Sequence, residues 1–203
     1  TVICAKNTSV GFTPASFTLS LRNRTKKLMA SSFGFRLAAR RLCSSASEWQ
    51  LHYKRAAKMY RYAPVNADDQ YHSRVRLNRG VAEVKAPTKV QHCHAAYALH
   101  GSTYFKMLDD AAFFAACSMD KEYFTVTTSF TTYITRAVEP SKVPSLRAVG
   151  KVTSATKSLI VAESVVMQDD GTEVGRGSGT FMRHPKFQLS MMPLYSDDEK
   201  YPL

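Results

Sequence analysis

Two neighbouring carboxylates, Asp109 and Asp110, fall inside the most apolar stretch of this 203-residue sequence, Tyr104 to Cys117. A carboxylate surrounded by apolar side chains has its charged form disfavoured, which makes it a candidate general base or nucleophile. Read as a helix, Tyr104 to Ala116 is apolar almost all round, so little solvated face remains for an acid. Asp109 is therefore expected to face a pocket or an interface. A second set is His92-Cys93-His94 with His100. Alternate strand positions share a face, so His92 and His94 could point together at a metal. No further ligand has fitting spacing, and no metal or organic cofactor is expected. A third motif, Gly175-Arg176-Gly177-Ser178-Gly179, has the composition of a phosphate cradle but opens no helix, the context such a cradle needs.

The elements that must position these residues follow from periodicity. A short strand, Val81 to Val84, precedes a loop, and a helix is expected from about Gly101 to Ser118. Four strand-like runs follow, near Tyr123–Thr135, Leu146–Ala155, Ser158–Met167 and Glu173–Met182. The first alternates, with Phe124, Val126, Thr128 and Phe130 on one side and Thr125, Thr127, Ser129, Thr131 and Tyr133 on the other. Asp169-Asp170-Gly171-Thr172 reads as a hairpin turn with glycine supplying positive φ. One helix followed by antiparallel strands is an α+β plan, with the helix laid on one sheet face. Gly175, Gly177 and Gly179 recur with period two, so one face of the last strand is bare enough for a helix or another backbone to approach closely. Upstream, Ser47 to Tyr62 reads as a short amphipathic helix with Ser47 as N-cap, Trp49, Tyr53, Ala56 and Tyr60 along one side, and Pro64 ending it.

Charge divides the chain. Residues 1–64 hold twelve Lys or Arg against one acid, Glu48, a balance of +11; residues 65–203 hold sixteen against fifteen, a balance of +1. The globular part is near neutral, and the positive charge belongs to the N-terminal quarter. Residues 1–46 are rich in Ser, Thr, Arg and Lys, and Arg36, Arg40 and Arg41 would give a helix a basic side opposite Phe33, Phe35, Leu37 and Leu42. That is the composition of an organellar transit peptide, mitochondrial in preference to plastid. Met29 would make a natural start, with residues 1–28 as an upstream extension. A basic, acid-free segment also suits RNA or the crevices of a large mitochondrial complex, reached through residues 1–64. Cys4, Cys43, Cys93 and Cys117 are isolated, with no Cys-x-x-Cys pair, which speaks for a reducing compartment. No run approaches the roughly 18–20 apolar residues of a spanning helix, so no membrane span is expected.

Leu99 to Ala112 (Leu-His-Gly-Ser-Thr-Tyr-Phe-Lys-Met-Leu-Asp-Asp-Ala-Ala) resembles the signature of hotdog-fold thioesterases. The branch it resembles is the phenylacetic-acid-degradation type of acyl-CoA thioesterase, in which a His-Gly pair opens the central helix and an acid follows nine residues after the histidine. The resemblance continues through Thr127 to Tyr133 and Glu173 to Phe181, and covers about residues 65–186. It implies a long antiparallel sheet wrapped around a central helix, and a dimer or tetramer with sites at the subunit interface. It also implies an acyl-CoA substrate. The Gly101 N–H would polarise the thioester carbonyl, and Asp109 of the partner would serve as general base or nucleophile. His100 would orient the turn, with Thr127 placing the attacking water and Ser102 beside it at the substrate. Two positions depart from the pattern. His94 stands where the family usually has an asparagine that holds substrate or water, and Ala137 follows Arg136 where a proline is common.

Four segments result: a basic extension (1–46), a short helix and linker (47–64), the hotdog domain (65–186) and a tail (187–203). Two functions fit them. One is an organellar acyl-CoA thioesterase. The other is a catalytically degenerate subunit of a mitochondrial ribosome or respiratory complex, whose extension binds rRNA or partner proteins.

Overall fold

The computed structural model describes residues 46–67, 71–196 and 203. The chain divides into Thr1–Ser44 and Ser45–Leu203. The expectations for the transit-peptide-like extension fall on residues 1–45 and lie outside the described residues.

A helix α1 over residues 46–62 is followed by the single turn α2 (Pro64–Ala67). Then come β1 (Arg74–Asn78), β2 (Val81–Pro87), the central helix α3 (Gly101–Cys117), β3 (Tyr123–Ile134), β4 (Ser145–Ala155), β5 (Leu159–Gln168) and β6 (Glu173–Gln188). The strands form one antiparallel sheet in the order β1-β2-β4-β5-β6-β3. This is the α+β plan expected from the sequence. The turn between β5 and β6 carries Gly171 at φ +88°. β1 has no counterpart among the expected strands. Its Arg-Val-Arg-Leu-Asn alternates, with Leu77 buried, and Gly80 at φ +71° closes the tight turn to β2. The last strand runs six residues past the expected Met182, to Gln188.

The sheet receives α3 where its backbone is barest. A Cβ on Gly150 would collide with the backbone of Ala111 and Ala112, so the absence of a side chain lets the helix settle directly on β4. At Gly175, Gly177 and Gly179 the β3 backbone approaches closely, with a β3 carbonyl oxygen 2.9–3.1 Å from where each Cβ would lie, and a side chain adds to it. A Cβ on Gly177 would lie 2.5 Å from Phe130 Cε1, and one on Gly179 would lie 3.0 Å from Cε2 of the same ring. At Gly177 and Gly179 the strip is roofed by this aromatic side chain from β3, and at Gly175 it meets Tyr104 of α3, 3.7 Å from the position of a Cβ.

Phe130 reaches it through a bulge. The β3–β6 register pairs Thr127 with Phe181 and Ser129 with Thr180, so Thr128 is an extra residue. Strict alternation places Thr127 and Phe130 on opposite faces. The bulge turns both toward α3, because the side-chain period of two restarts after Thr128.

The other side of α3 is covered by chain outside residues 65–186. Tyr53, Ala56 and Tyr60 of α1 belong to the same core as Leu108, Phe114 and Val84, as do Leu189 and Tyr195 near the C-terminal end. The Tyr60 and Phe114 rings meet edge to face at 5.1 Å. His52 is buried between Tyr195, 2.8 Å from its hydroxyl, and the Cys117 carbonyl oxygen at 3.1 Å. Burial lowers the His52 pKa below that of a free imidazole, so the ring is neutral and suited to one donor and one acceptor contact. The face read from Trp49, Tyr53, Ala56 and Tyr60 is the buried one, each large side chain contributing roughly 1.5–3 kcal/mol on full burial. Ser47 is not an N-cap, since the helix already includes residue 46. No helix among the described residues is long and apolar enough to cross a membrane.

Candidate active site

The first cluster lies at the start of α3. His100 is its N-cap: the backbone is extended there, and the ring Nδ1 accepts from the Ser102 N–H at 3.1 Å and lies 2.8 Å from Ser102 Oγ. An imidazole thus does what a serine or aspartate does at most helix starts, satisfying one of the amides left without an intrahelical partner. Gly101 follows with its amide at the positive end of the helix dipole. A Cβ there would meet only Ile134 Cδ1, at an ordinary 3.5 Å, so steric room is not what the glycine supplies. His94 belongs to the preceding turn. Its Nδ1 accepts from the Ala96 N–H at 3.1 Å, its carbonyl accepts from Tyr97, and Tyr97 holds a left-handed φ of 60°. In this turn the histidine performs the local capping that an Asn side chain performs elsewhere. Its exposed ring keeps only Nε2 for any further partner.

The second cluster is two helical turns on. Asp109, half-buried, accepts a hydrogen bond at its Oδ1 from the Thr127 hydroxyl at 3.2 Å. Burial raises its carboxyl to about 6, the Thr127 bond draws it down, Asp110 pushes it up and Lys106 draws it down. A carboxylate of that basicity is still ionised at neutral pH and is a competent acceptor of a proton from water. Asp110, despite adjacency, points into a different environment. It forms a 2.6 Å ion pair with Lys106, whose ammonium lies 5.5 Å from the Tyr60 ring centre and 5.1 Å from that of Tyr71. Such a partner ordinarily holds a carboxyl low, but burial outweighs it and the Asp110 carboxyl is raised. Lys106 is absent from the residues that sequence reasoning picks out; its spacing of four from Asp110 was the available signal.

Thr127 therefore joins Asp109, while His94, His100, Gly101 and Ser102 gather at the helix start. The two clusters are separated by eight helical residues, about 12 Å at 1.5 Å per residue. One thioester carbonyl cannot touch both within one chain. Two cavities lie elsewhere, one of about 690 Å³ beside α1 and one of about 720 Å³ on the outer face of β1, β2 and β4. His92, Cys93, His94 and His100 do not assemble into a ligand set, and among the described residues no group of three or more His, Cys, Asp or Glu is arranged to hold a metal ion.

No protein-family model and no curated protein sequence matches the chain. Solved structures do. The Escherichia coli PaaI protein from the phenylacetic acid degradation operon superposes with TM-score 0.58 and 17% identity, over 67% of this chain and 98% of its own. A thioesterase family protein from Silicibacter pomeroyi gives 0.58 and 21%, over 64% and 96%. A conserved protein from Pseudomonas aeruginosa gives 0.50 and 28%, over 55% and 88%. The six-stranded antiparallel sheet around α3 is the fold these structures share, the hotdog fold.

Proposed function

We propose that the protein is a hotdog acyl-thioester hydrolase acting on acyl-CoA as a dimer. The observation that carries the reading is the Asp109–Thr127 pair, a half-buried carboxylate of raised basicity held by a hydroxyl on the neighbouring strand. β3 is a sheet edge of twelve residues, rich in threonine and carrying exposed Tyr133 and Ile134, and a long open edge invites a second strand. Thr127 on this strand touches Asp109, and Ile134 lies against Gly101. Antiparallel pairing of two β3 strands about an axis near Phe130 and Thr131 sets Thr127 of one protomer opposite Ile134 of its partner. Asp109 then comes toward the other protomer's Gly101, which closes the 12 Å gap between the clusters.

In that arrangement the Gly101 N–H and the helix dipole stabilise the oxygen of the thioester carbonyl as it gains charge. Asp109 takes a proton from water as the hydroxide attacks, and Thr127 fixes the carboxylate's orientation. The C–S bond breaks in the tetrahedral intermediate, and the thiolate leaves with that proton. His100 and Ser102 hold the first helical turn in place. His94 stands at the mouth as a hydrogen-bonding group in place of an amide. The basic, acid-free extension directs the protein to the mitochondrion, or to a plastid.

A second reading rests on the balance of +11 in residues 1–64 against +1 in residues 65–203. In it the hotdog domain is a degenerate subunit of a large mitochondrial assembly. Native protein fractionated by sedimentation and assayed with a panel of acyl-CoAs separates the two. Hydrolysis in dimer-sized fractions, abolished by Asp109→Asn, supports the enzyme. Co-migration with an RNA-containing particle and no hydrolysis supports the subunit.

A further inference from the structure

The outward face of β1, β2 and β4 sets like charges abreast. In the observed register Arg74 lies opposite Lys85, and Lys85 opposite Arg147. Adjacent strands are roughly 4.8 Å apart, and like charges directly across a ladder oppose folding. The sheet offsets only part of this. Lys85 pairs with Asp169 at 3.0 Å and Arg147 with Glu83 at 3.3 Å. Arg74, and Arg76 two residues along the same face, are exposed and enter no close ion pair among the described residues, although the register sets Arg76 opposite Glu83.

The two large cavities adjoin here, since His72 and Arg74 line both. Exposed Lys54 and Arg61 of α1 and half-buried Tyr62 line the one beside the helix. Among the described residues Glu83 and Asp169 are the acidic side chains lining either cavity, and Arg147 and Lys85 already engage them; Leu203 also lines the cavity beside α1. Because residues 65–203 carry only +1, this is a local concentration of charge and not a consequence of the domain's composition. This trough is half open and edged by guanidinium and ammonium groups, and at one end the Arg61 guanidinium lies over the Tyr62 ring, 5.3 Å from its centre; guanidinium groups engage phosphate oxygens and stack on bases.

We propose that the trough formed by α1 and the outer face of β1, β2 and β4 binds the phosphodiester backbone of a single-stranded nucleic acid, without reading its sequence. The site is separate from Asp109 and Gly101 and does not depend on whether the protein hydrolyses thioesters.

The test uses the full chain and a fluorescently labelled 20-nucleotide oligo(U), with binding followed by anisotropy across a salt series. Arg74→Gln/Arg76→Gln is compared with wild type and with Lys157→Gln/Lys186→Gln, which removes two exposed cations elsewhere. The basic extension is present in all three and contributes equally. Binding by Arg74→Gln/Arg76→Gln is expected at least five-fold weaker near 0.1 M salt. Its log–log salt dependence should be shallower by about 1.4, since two phosphates go unneutralised at roughly 0.7 counterion each. The control pair should match wild type. Unchanged affinity and slope in Arg74→Gln/Arg76→Gln, or an equal loss in the control, overturns the proposal. So does displacement of the oligonucleotide by equimolar CoA or polyglutamate. If the variant's denaturation midpoint drops, Lys54→Gln/Arg61→Gln on α1 replaces it, under the same criteria.

Discussion

The Thr127 hydroxyl donates to Asp109 Oδ1 across 3.2 Å, joining the edge strand of the sheet to the middle of its central helix. The bond exists because Thr128 is an extra residue: without the bulge the strand would continue its alternation and set Thr127 and Phe130 on opposite faces. The half-buried carboxyl it holds is raised to about 6, with burial as the main cause.

This bond favours the charged form of Asp109, so its removal moves the carboxyl further up. Thr127→Val is expected to shift the acid limb of the pH–rate profile for acyl-CoA hydrolysis upward from near 6 by about half a unit to one unit, a cost of about 1 kcal/mol to the ionised form. Activity at pH 8, where the carboxylate is ionised in both proteins, should change much less. Asp109→Asn should lose hydrolysis at every pH. A limb that stays in place in Thr127→Val would mean that the strand does not set the basicity of this group.

Gly150 gives a sharper expectation, for stability alone. A Cβ at this position meets the Ala111 carbonyl and the Ala112 amide, backbone groups that cannot rotate away. Gly150→Ala must lift α3 from β4 or break the strand, and either loosens the packing around Leu108, Leu146 and Ala148. A loss of about 3 kcal/mol or more is expected in urea denaturation, at the upper end of overpacking costs. A loss under 1 kcal/mol would show that the helix does not rest on the strand as described.

How far the fold was legible depended on how regular each signal was. α3 could be read to within a residue because its apolar run, His100 cap and following Ser118 agree. β3 to β6 could be placed because they alternate and are punctuated by Asp169-Asp170-Gly171. β1 escaped because its five residues offer only Val75 and Leu77 against two arginines, and the bulge at Thr128 escaped because a run of threonines has no phase to lose. The site was legible as two residue types in one helix. That Thr127 would reach Asp109 was a matter of register, which a single sequence states only where one face is clearly apolar. The trough of cations on β1, β2 and β4 was hidden for a similar reason: Arg74, Lys85 and Arg147 are far apart in sequence and meet only through strand order.

Phe130 and Gly177 should prove energetically coupled. The ring fills the space that a side chain on Gly177 or Gly179 would take, and it also meets Phe105 at 5.7 Å and Phe181 at 6.4 Å. Gly177→Ala alone should cost about 2 kcal/mol by collision, and Phe130→Ala about 3 kcal/mol by leaving a void. In the double variant the methyl group enters vacated space, so the combined loss should fall short of the sum by about 1 kcal/mol or more. Strict additivity in a denaturation cycle would place the ring elsewhere.

The Lys106–Asp110 pair distinguishes its two members. Removing either leaves the other in a largely buried place, but not in equal surroundings. Without Asp110 the ammonium still lies near the faces of Tyr60 and Tyr71, which attract a cation. Without Lys106 the carboxylate is left in its largely buried place with no cation at bonding distance among the described residues. Lys106→Met should therefore destabilise more than Asp110→Asn at pH 7, by about 2–4 kcal/mol for the former. The sign of the pH dependence follows. Burial already raises the Asp110 carboxyl, and loss of Lys106 raises it further, so the native variant binds a proton that the unfolded chain releases above its ordinary carboxyl pKa. Stability of Lys106→Met should then fall as pH rises above about 4, until the raised native pKa is passed. Its deficit against wild type should be smaller at pH 5 than at pH 7. Urea midpoints at the two pH values decide it: equal deficits would mean that Asp110 stays charged without its partner, and that the pair is not the closed ionic contact that its 2.6 Å separation describes.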